Sequence, residues 1–216
     1  MVTGVVVECS GPWMRVRFPE QYRCWSWAVV NGGAVCASEV AWLFLEPDEI
    51  ATVEDVPSWF RARLQAQGLD KAVGLLTSRR RHQYMESGEG TDCHVITTVG
   101  LSNALTAGDP VSPPAAGTIN TLCAIRANLT AEAALEAMAL ASEARTAAMM
   151  EAAVPSVVSG RIASGTGTDC FVIAHSTHGP AVPYCGKHTA LGHRIGYHVR
   201  HAVSRGIEQW LREFAR

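Results

Sequence analysis

A long alanine-rich segment between two short apolar runs limits the fold of this chain more than any other feature. Residues 131–152 are rich in alanine, leucine, methionine and glutamate. Thr130 precedes them as an N-cap and Pro155 lies beyond their end, so they predict one long helix. The face predicted to pack on a sheet consists of Leu135, Met138 and Met149, with the small residues Ala134, Ala141 and Ser142 among them. Residues 93–99 and 170–174 are apolar and rich in β-branched side chains, which is typical of buried strands. Strands that alternate with long helices indicate an α/β or α+β domain.

Both ends of the chain add elements to this plan. Residues 2–7 and 14–18 predict short strands, and residues 58–67 predict a helix. A last helix is predicted by apolar residues at three- and four-residue steps, which form one core-facing stripe: Ile195, Val199, Ala202, Val203, Ile207, Trp210, Leu211 and Phe214. We therefore expect residues 1–216 to form a single domain, α/β or α+β, with a mixed sheet flanked by long helices and the N-terminal strands at its edge.

The same tripeptide introduces both apolar runs. It reads Gly90-Thr91-Asp92 before the first run and Gly167-Thr168-Asp169 before the second, and the match continues into Cys-x-Val-Ile-like sequences. One explanation is an internal duplication that places the two strands equivalently. The other is two ordinary turns, because Gly, Thr and Asp all favour turns. The sequence leaves both explanations open.

The composition argues for a small-molecule ligand. The chain has 18 basic and 20 acidic residues and a net charge of −2, so no broad field favours nucleic acid or anionic membranes. Seven cysteines, an odd number without close pairing, and a start that lacks a basic region before an apolar run favour a reduced, cytoplasmic protein. No stretch reaches the roughly 20 continuous apolar residues that would span a bilayer.

Four glycine- and polar-rich motifs lie beside apolar stretches in the C-terminal two-thirds of the chain. They are residues 98–104 (TVGLSNA), 117–120 (GTIN), 165–169 (GTGTD) and 186–192 (GKHTALG). A polar loop at the end of an apolar strand is a place where a scaffold holds functional groups rigidly. We expect the four loops to form one composite site.

Taken in order, these motifs resemble those of the adenosylcobinamide amidohydrolase family, CbiZ. The first three are similar to the family's Thr-Ala-Gly-Leu-Ser-Asn-Ala, Gly-Thr-Ile-Asn and Gly-Thr-x-Thr-Asp, with Val99 where alanine is usual. The fourth is similar to Gly-x-x-Thr-x-Leu-Gly. Asn31-Gly32-Gly33, Thr77 and residues 142–146 (SEART) also follow the family's order, so the resemblance covers roughly residues 28–205.

The resemblance implies a reaction. Members of this family cleave the amide between adenosylcobyric acid and its aminopropanol arm in adenosylcobinamide, as a step of corrinoid salvage. For this chain it implies a hydrolase without a cofactor whose partner is a corrinoid small molecule.

Amide hydrolysis requires an activated nucleophile, donors for the developing oxyanion and an acid for the leaving amine. Asp169 and His188 are our candidates for proton transfer, since one is acidic, the other titrates near neutrality and both lie in family-like loops. Asp169 has an alternative role as the cap of its own turn. Glu143, within the long helix, is a second candidate base.

Polar residues of the same motifs are predicted to bind substrate, because a fixed side-chain amide donates to an oxyanion or to the peripheral amides of a corrin. Ser102 invites comparison with the Gly-x-Ser-x-Gly nucleophile elbow, but the prolines that follow prevent the helix an elbow needs. We expect Ser102 to be a hydrogen-bonding turn residue. The predicted substrate-binding residues are Asn31, Ser102, Asn103, Thr118, Asn120, Thr166, Thr168 and Thr189.

Two other functions stay open. His175-x-x-His178 and Cys185-x-x-His188 have the ligand types that zinc accepts, but the spacing between the pairs fits no standard finger, so no metal ligand is assigned. A zinc-dependent hydrolase of another small amide is nevertheless one alternative, and a non-catalytic corrinoid-binding protein is the other. The sequence also leaves a homo-oligomer open.

Overall fold

The chain forms one large sheet, two small sheets and three helices in the part that a computed structural model describes, residues 4–81 and 83–214. The strands are β1 Val6–Ser10, β2 Trp13–Ser26, β3 Gly33–Phe44, β4 Val73–Thr77, β5 Met85–Ser87, β6 Cys93–Val99, β7 Ala104–Leu105, β8 Ile119–Ile125, β9 Asn128–Leu129, β10 Gly165–Thr166, β11 Cys170–His175 and β12 Ala181–Val182. The helices are α1 Val56–Ala66, α2 Ala131–Glu151 and α3 Ala190–Phe214.

The large sheet has eight strands and mixed direction. Its order is β4-β3-β2-β11-β8-β6-β5, with β1 paired to β2 outside this path. Two neighbouring pairs are parallel, β11 with β8 and β3 with β4, and the others are antiparallel. The predicted mixed sheet is therefore confirmed. β4 lies at the edge, whereas β2 is interior, because its first part pairs with β1 and β3 and its last part with β3 and β11.

Helices α2 and α3 cover one face of the sheet. The Thr130 side chain accepts a hydrogen bond from the Ala133 amide, which caps α2 as predicted. The buried face of α2 consists mainly of alanines, which allow close approach to the sheet, whereas Leu135, expected on that face, is 59% exposed. The stripe predicted for α3 is buried from Ile195 to Ile207.

The opposite face of the sheet is covered by its own N-terminal half. Ile96, Leu122 and Val172 pack in one buried cluster with Trp42 and Leu75, so the β2–β4 part curves back over β6, β8 and β11. Helix α1 then packs on the outer side of β3, where it buries residues in a separate cluster. Strongly twisted sheets bend in this way to bury both faces. The result is a three-layered core.

The two Gly-Thr-Asp tripeptides occupy different places. β6 and β11 both border β8, but β6 runs antiparallel to it and β11 parallel. Asp92 and Asp169 therefore lie at opposite ends of the sheet. A duplication would place β6 and β11 equivalently, whereas in this topology the two strands run in opposite directions.

Two further expectations concern the chain as a whole. The seven cysteines form no disulfide among themselves. Within residues 4–81 and 83–214, no helix combines the length and the apolar character needed to cross a bilayer.

Candidate active site

Three of the four motif loops meet at one end of the large sheet, where β6 ends and β8 and β11 begin. Backbone hydrogen bonds tie them together. The Gly100 amide donates to the Thr118 carbonyl over 2.9 Å, and the Gly167 amide donates to the Asn103 carbonyl over 3.1 Å. The three loops are residues 98–104, 117–120 and 165–169. These three loops meet as expected from the sequence, but the fourth loop does not join them.

The fourth loop, residues 186–192, lies at the other end of β6. The Thr189 hydroxyl accepts from the Gly192 amide over 2.9 Å and so caps the start of α3. One turn further on, Arg194 pairs with Asp92 over 2.8 Å, directly before β6 begins. This loop is separated from the other three by the length of a strand, because α3 runs antiparallel to β8 along the sheet.

Asp169 is the centre of the three-loop site. Its Oδ1 accepts from the Ile119 amide over 3.0 Å and from the Thr166 hydroxyl, and its Oδ2 accepts from the Thr166 amide over 3.0 Å. Arg145 forms an ion pair with the same Oδ2. The Asp169 side chain is only 8% exposed. A carboxylate has about four acceptor positions, so this set of donors occupies all of them.

Arg145 reaches the site from α2. Its Nη1 pairs with Asp169, its Nη2 lies 3.2 Å from the Ser142 hydroxyl, and its guanidinium lies 5.5 Å from the centre of the Phe171 ring. Burial lowers the pKa of Arg145 to about 10. Because this value is still well above 7, the guanidinium is cationic at neutral pH. Its Nε atom is buried and has no hydrogen-bond partner within the described residues. Such an unpaired donor costs about 1–3 kcal/mol unless a ligand or water satisfies it.

Arg145 was not among the predicted site residues, although residues 142–146 belong to the resemblance. A usable signal is present. Ala141, Ala144 and Ala148 are buried on the face of α2 toward the sheet, and Arg145 lies among them in the helical repeat. A single cation on an otherwise alanine-lined buried face requires a buried anion, and Asp169 is that anion.

Glycines allow the loops to approach this ion pair. A Cβ atom on Gly165 would overlap the Arg145 guanidinium and the Asp169 carboxylate. Gly117 has φ of 122°, and a Cβ there would lie 2.8 Å from the Asn103 amide nitrogen. Both positions exclude a side chain, since the space is already filled. The loops are therefore packed around Asp169 as closely as backbone permits.

Asn120 lies at the same end of the sheet, on the face opposite to Arg145. Its Nδ2 donates to the Leu76 carbonyl over 2.6 Å, and its Oδ1 lies 3.3 Å from the Thr118 hydroxyl. Thr98 is directly opposite Asn120 in the β6–β8 register. The Thr98 hydroxyl is buried and has no hydrogen-bond partner in the described part of the chain. This end of the sheet thus holds a second polar atom that a ligand or water would satisfy.

The remaining loop residues differ in exposure. Ser102 is exposed and is followed by β7 rather than by a helix, which agrees with the expectation of a turn residue. Asn103 is buried. The Thr168 hydroxyl donates to the Gly117 carbonyl over 3.1 Å, and the Thr118 hydroxyl donates to the Thr168 carbonyl over 2.8 Å. These hydroxyls therefore hold neighbouring loops together.

Four predicted site residues lie outside this cluster, and one of them is Thr189, which caps α3 in the fourth loop. The Asn31 side chain donates to the carbonyls of Asp70 and Ala72 over 2.9 and 2.8 Å, which fixes its own turn at φ of 55°. Glu143 points from α2 to an exposed ion pair with Lys187. His188 is exposed in the fourth loop. Asp169, Thr166, Thr168, Thr118, Asn103 and Asn120 are the predicted residues that the fold brings together.

The histidine and cysteine pairs are not arranged as a metal centre. His175 is buried, with its Nε2 accepting from the Trp25 indole over 3.3 Å, and His178 faces Glu20 over 3.4 Å. Across the described residues, no three His, Cys, Asp or Glu side chains converge to hold an ion.

Two adjoining cavities lie at the far end of the sheet from Asp169. One of about 380 Å³ is lined by Leu191, Arg194 and the exposed Tyr184, and one of about 550 Å³ is lined by residues that include Arg126 and Ser176. Arg194 also has a buried Nε without a hydrogen-bond partner among the described residues. The three loops combine two such polar atoms with an ion pair whose side chains are only 11% and 8% exposed, so we place the candidate active site there.

Comparison with known proteins identifies the family. The profile of the family described as adenosylcobinamide amidohydrolase, CbiZ, matches residues 2–214, and this chain belongs to that family. A relative from Methanosarcina mazei, named adenosylcobinamide amidohydrolase, is 28% identical over 160 residues, which are 69% of this chain and 74% of that protein.

Two more similarities are weaker. An uncharacterised protein of Methanocaldococcus jannaschii is 36% identical over 88 residues, 40% of this chain and 34% of that protein. A crystal structure of a Pyrococcus horikoshii protein aligns with a TM-score of 0.44 and 13% identity, over 97% of this chain and 83% of that one.

Proposed function

We propose that this protein hydrolyses the amide between adenosylcobyric acid and aminopropanol in adenosylcobinamide, and that the reaction takes place at the Asp169–Arg145 cluster. The observation that carries the proposal is the convergence of three family-like loops on a buried ion pair whose arginine keeps an unpaired donor. The family and the relative from Methanosarcina mazei support the substrate class.

Arg145 is the proposed oxyanion-stabilising group. It stays cationic in a buried setting, where a fixed donor stabilises developing negative charge more strongly than it would in water. Its unpaired Nε–H is buried, so we propose that the loops open for this donor to reach the carbonyl oxygen of the scissile amide. A thiolate nucleophile is not available from the neighbouring Cys170, because burial raises the pKa of that thiol to about 12. Water is therefore the proposed nucleophile.

Asp169 is proposed first as the residue that positions Arg145. To accept a proton from water it must give up one of its donors, and the Thr166 hydroxyl is the donor that can rotate away. Rotation would free one Oδ1 lone pair without disturbing Arg145 on Oδ2. The water adds to the amide carbon as Asp169 takes its proton, and the proton then passes to the leaving nitrogen. This gives a carboxylic acid and a neutral amine; the acid then loses a proton and the amine gains one, so the products at neutral pH are the carboxylate of adenosylcobyric acid and the ammonium form of aminopropanol.

The proposed role is salvage in the cytoplasm, since the carboxylate product is one that cobalamin synthesis can use again. A non-catalytic corrinoid-binding protein would bind the same molecule without releasing aminopropanol. A zinc-dependent hydrolase would lose activity with a chelator.

The test is to incubate the protein with adenosylcobinamide and to follow adenosylcobyric acid and aminopropanol by mass spectrometry. Arg145→Lys should lower kcat by about 10²-fold or more, because a lost oxyanion donor has effects of this size. Glu143→Gln and His188→Ala are the matched controls, since both residues are exposed, and they should retain kcat within about threefold. Intact substrate with folded wild-type protein would refute the reaction. Activity that survives in Arg145→Lys but not in His188→Ala would refute the site.

A further inference from the structure

Trp27 is an exposed tryptophan that is held in place by the active-site loop. Trp27 is 53% exposed, yet its Nε1 donates a hydrogen bond to the backbone carbonyl of Asp169 over 2.6 Å. Its ring meets the edge of Phe171 at a centroid distance of 5.8 Å and an angle of 62°. The hydrogen bond and the edge contact fix the direction of the indole plane, so its exposed face has one orientation.

The indole is continuous with the ion pair. Phe171 contacts Trp27 at its edge and lies under the Arg145 guanidinium, 5.5 Å from the ring centre. Three planar groups thus run from the surface to the buried cation. Trp27 also follows β2 directly, and β2 is held by its pairing with β11 at Ser26 and Val172. Neither the backbone nor the side chain of Trp27 must reorganise to meet a ligand, which lowers the entropic cost of binding.

We propose that Trp27 is a specificity-determining residue, whose exposed face packs against the apolar, methyl-bearing edge of the macrocycle next to the amide that is cleaved. This inference rests on the proposed function. The scissile arm carries no charge, so affinity for it must come from apolar contact and hydrogen bonds. A fixed indole supplies a large apolar area beside the polar cluster. The proposed ligand class is therefore a large, flat, amide-rimmed ring, and a small linear amide would gain little from Trp27.

The test compares Trp27→Ala and Trp27→Phe with Tyr184→Ala. Tyr184 is the matched control, because it is also an exposed aromatic residue but lies at the opposite end of the sheet, beside the cavity of about 380 Å³. Trp27→Ala should raise KM for adenosylcobinamide at least tenfold and leave kcat within about threefold. Trp27→Phe lacks the N–H donor but keeps an aromatic face. Because the proposal attributes affinity to packing on that face, this variant should recover most of it. Tyr184→Ala should leave both constants unchanged.

Titration of the same variants with adenosylcobyric acid, followed by calorimetry, separates binding from catalysis. Affinity of Trp27→Ala within twofold of wild type, with the reaction intact, would overturn this inference and leave the proposed function standing. Loss of affinity in Tyr184→Ala instead would place the macrocycle at the other end of the sheet and overturn it as well. Wild-type protein that neither binds nor cleaves the corrinoid would refute the proposed function and this inference together. If Trp27→Ala does not fold, Trp27→Phe decides, since a large loss of affinity with the aromatic face retained would contradict packing as the cause.

Discussion

Replacing Asp169 by asparagine should destabilise the protein far more than its similar shape suggests. Backbone amides donate to both carboxylate oxygens, Ile119 to Oδ1 and Thr166 to Oδ2. In either orientation, the amino group of asparagine would therefore face a backbone N–H. The substitution also leaves the buried Arg145 cation without its anion.

The magnitude follows from these two losses. Breaking a buried ion pair costs about 3–5 kcal/mol, and an unsatisfied buried donor costs about 1–3 kcal/mol. Because the two losses share one site, we expect a combined destabilisation of about 4–5 kcal/mol. For a chain of this length that corresponds to a Tm lower by roughly 8–20 °C.

Urea unfolding and thermal melts measure the effect, with Glu143→Gln as the matched control. Glu143 also loses an ion pair on substitution, but both partners are more than half exposed, so we expect less than about 1 kcal/mol there. A Tm for Asp169→Asn within about 2 °C of the Glu143→Gln value would refute the reasoning, since it would mean that the Asp169 carboxylate carries no buried charge pair.

Three further predictions concern stability and packing. Gly165→Ala should abolish activity and lower Tm because its Cβ overlaps the ion pair, whereas Gly186→Ala, whose Cβ would meet nothing nearer than 3.7 Å, should be tolerated. Burial lowers the pKa of His175 below its usual value. As pH falls, the imidazole is therefore protonated in the unfolded chain before it is protonated in the folded protein, so the folded protein should lose stability below about pH 6.5. Urea unfolding at pH 7.5 and 5.5 should show a smaller loss for His175→Gln than for wild type. Lys187→Met should change neither activity nor Tm measurably, and a kcat more than tenfold lower would return the fourth loop to the active site.

The elements with strong local signals could be predicted from the sequence. β6 spans residues 93–99 as expected, and α2 ends one residue before the predicted position. In both cases the composition and the capping residues determine the structure through interactions with near neighbours in the chain, so the local sequence is enough to predict the element. The buried face of α2 is the exception. Leu135 was expected on that face, but it is exposed, and alanines form most of the buried face instead.

The arrangement of the site could be predicted only in part. Three motif loops converge because strand ends bring them together, but the position of the fourth depends on the direction of α3, which no local pattern encodes. The partner of Asp169 was missed because Arg145 comes from a helix rather than from a motif loop, although its place among the buried alanines of α2 is a signal in the sequence. Family-like sequence located the loops, and only the fold shows which of them touch.

The pairing of β2 with β11 has a consequence for how the chain comes into existence. Trp25 and His175, which meet across these strands, are 150 residues apart. During synthesis, β2 leaves the ribosome long before β11 has been made, and residues 23–26 then have one edge that is able to pair with another strand. Contacts between such distant residues form slowly. We therefore expect the nascent N-terminal part to be prone to aggregation until β11 has been made and pairs with β2.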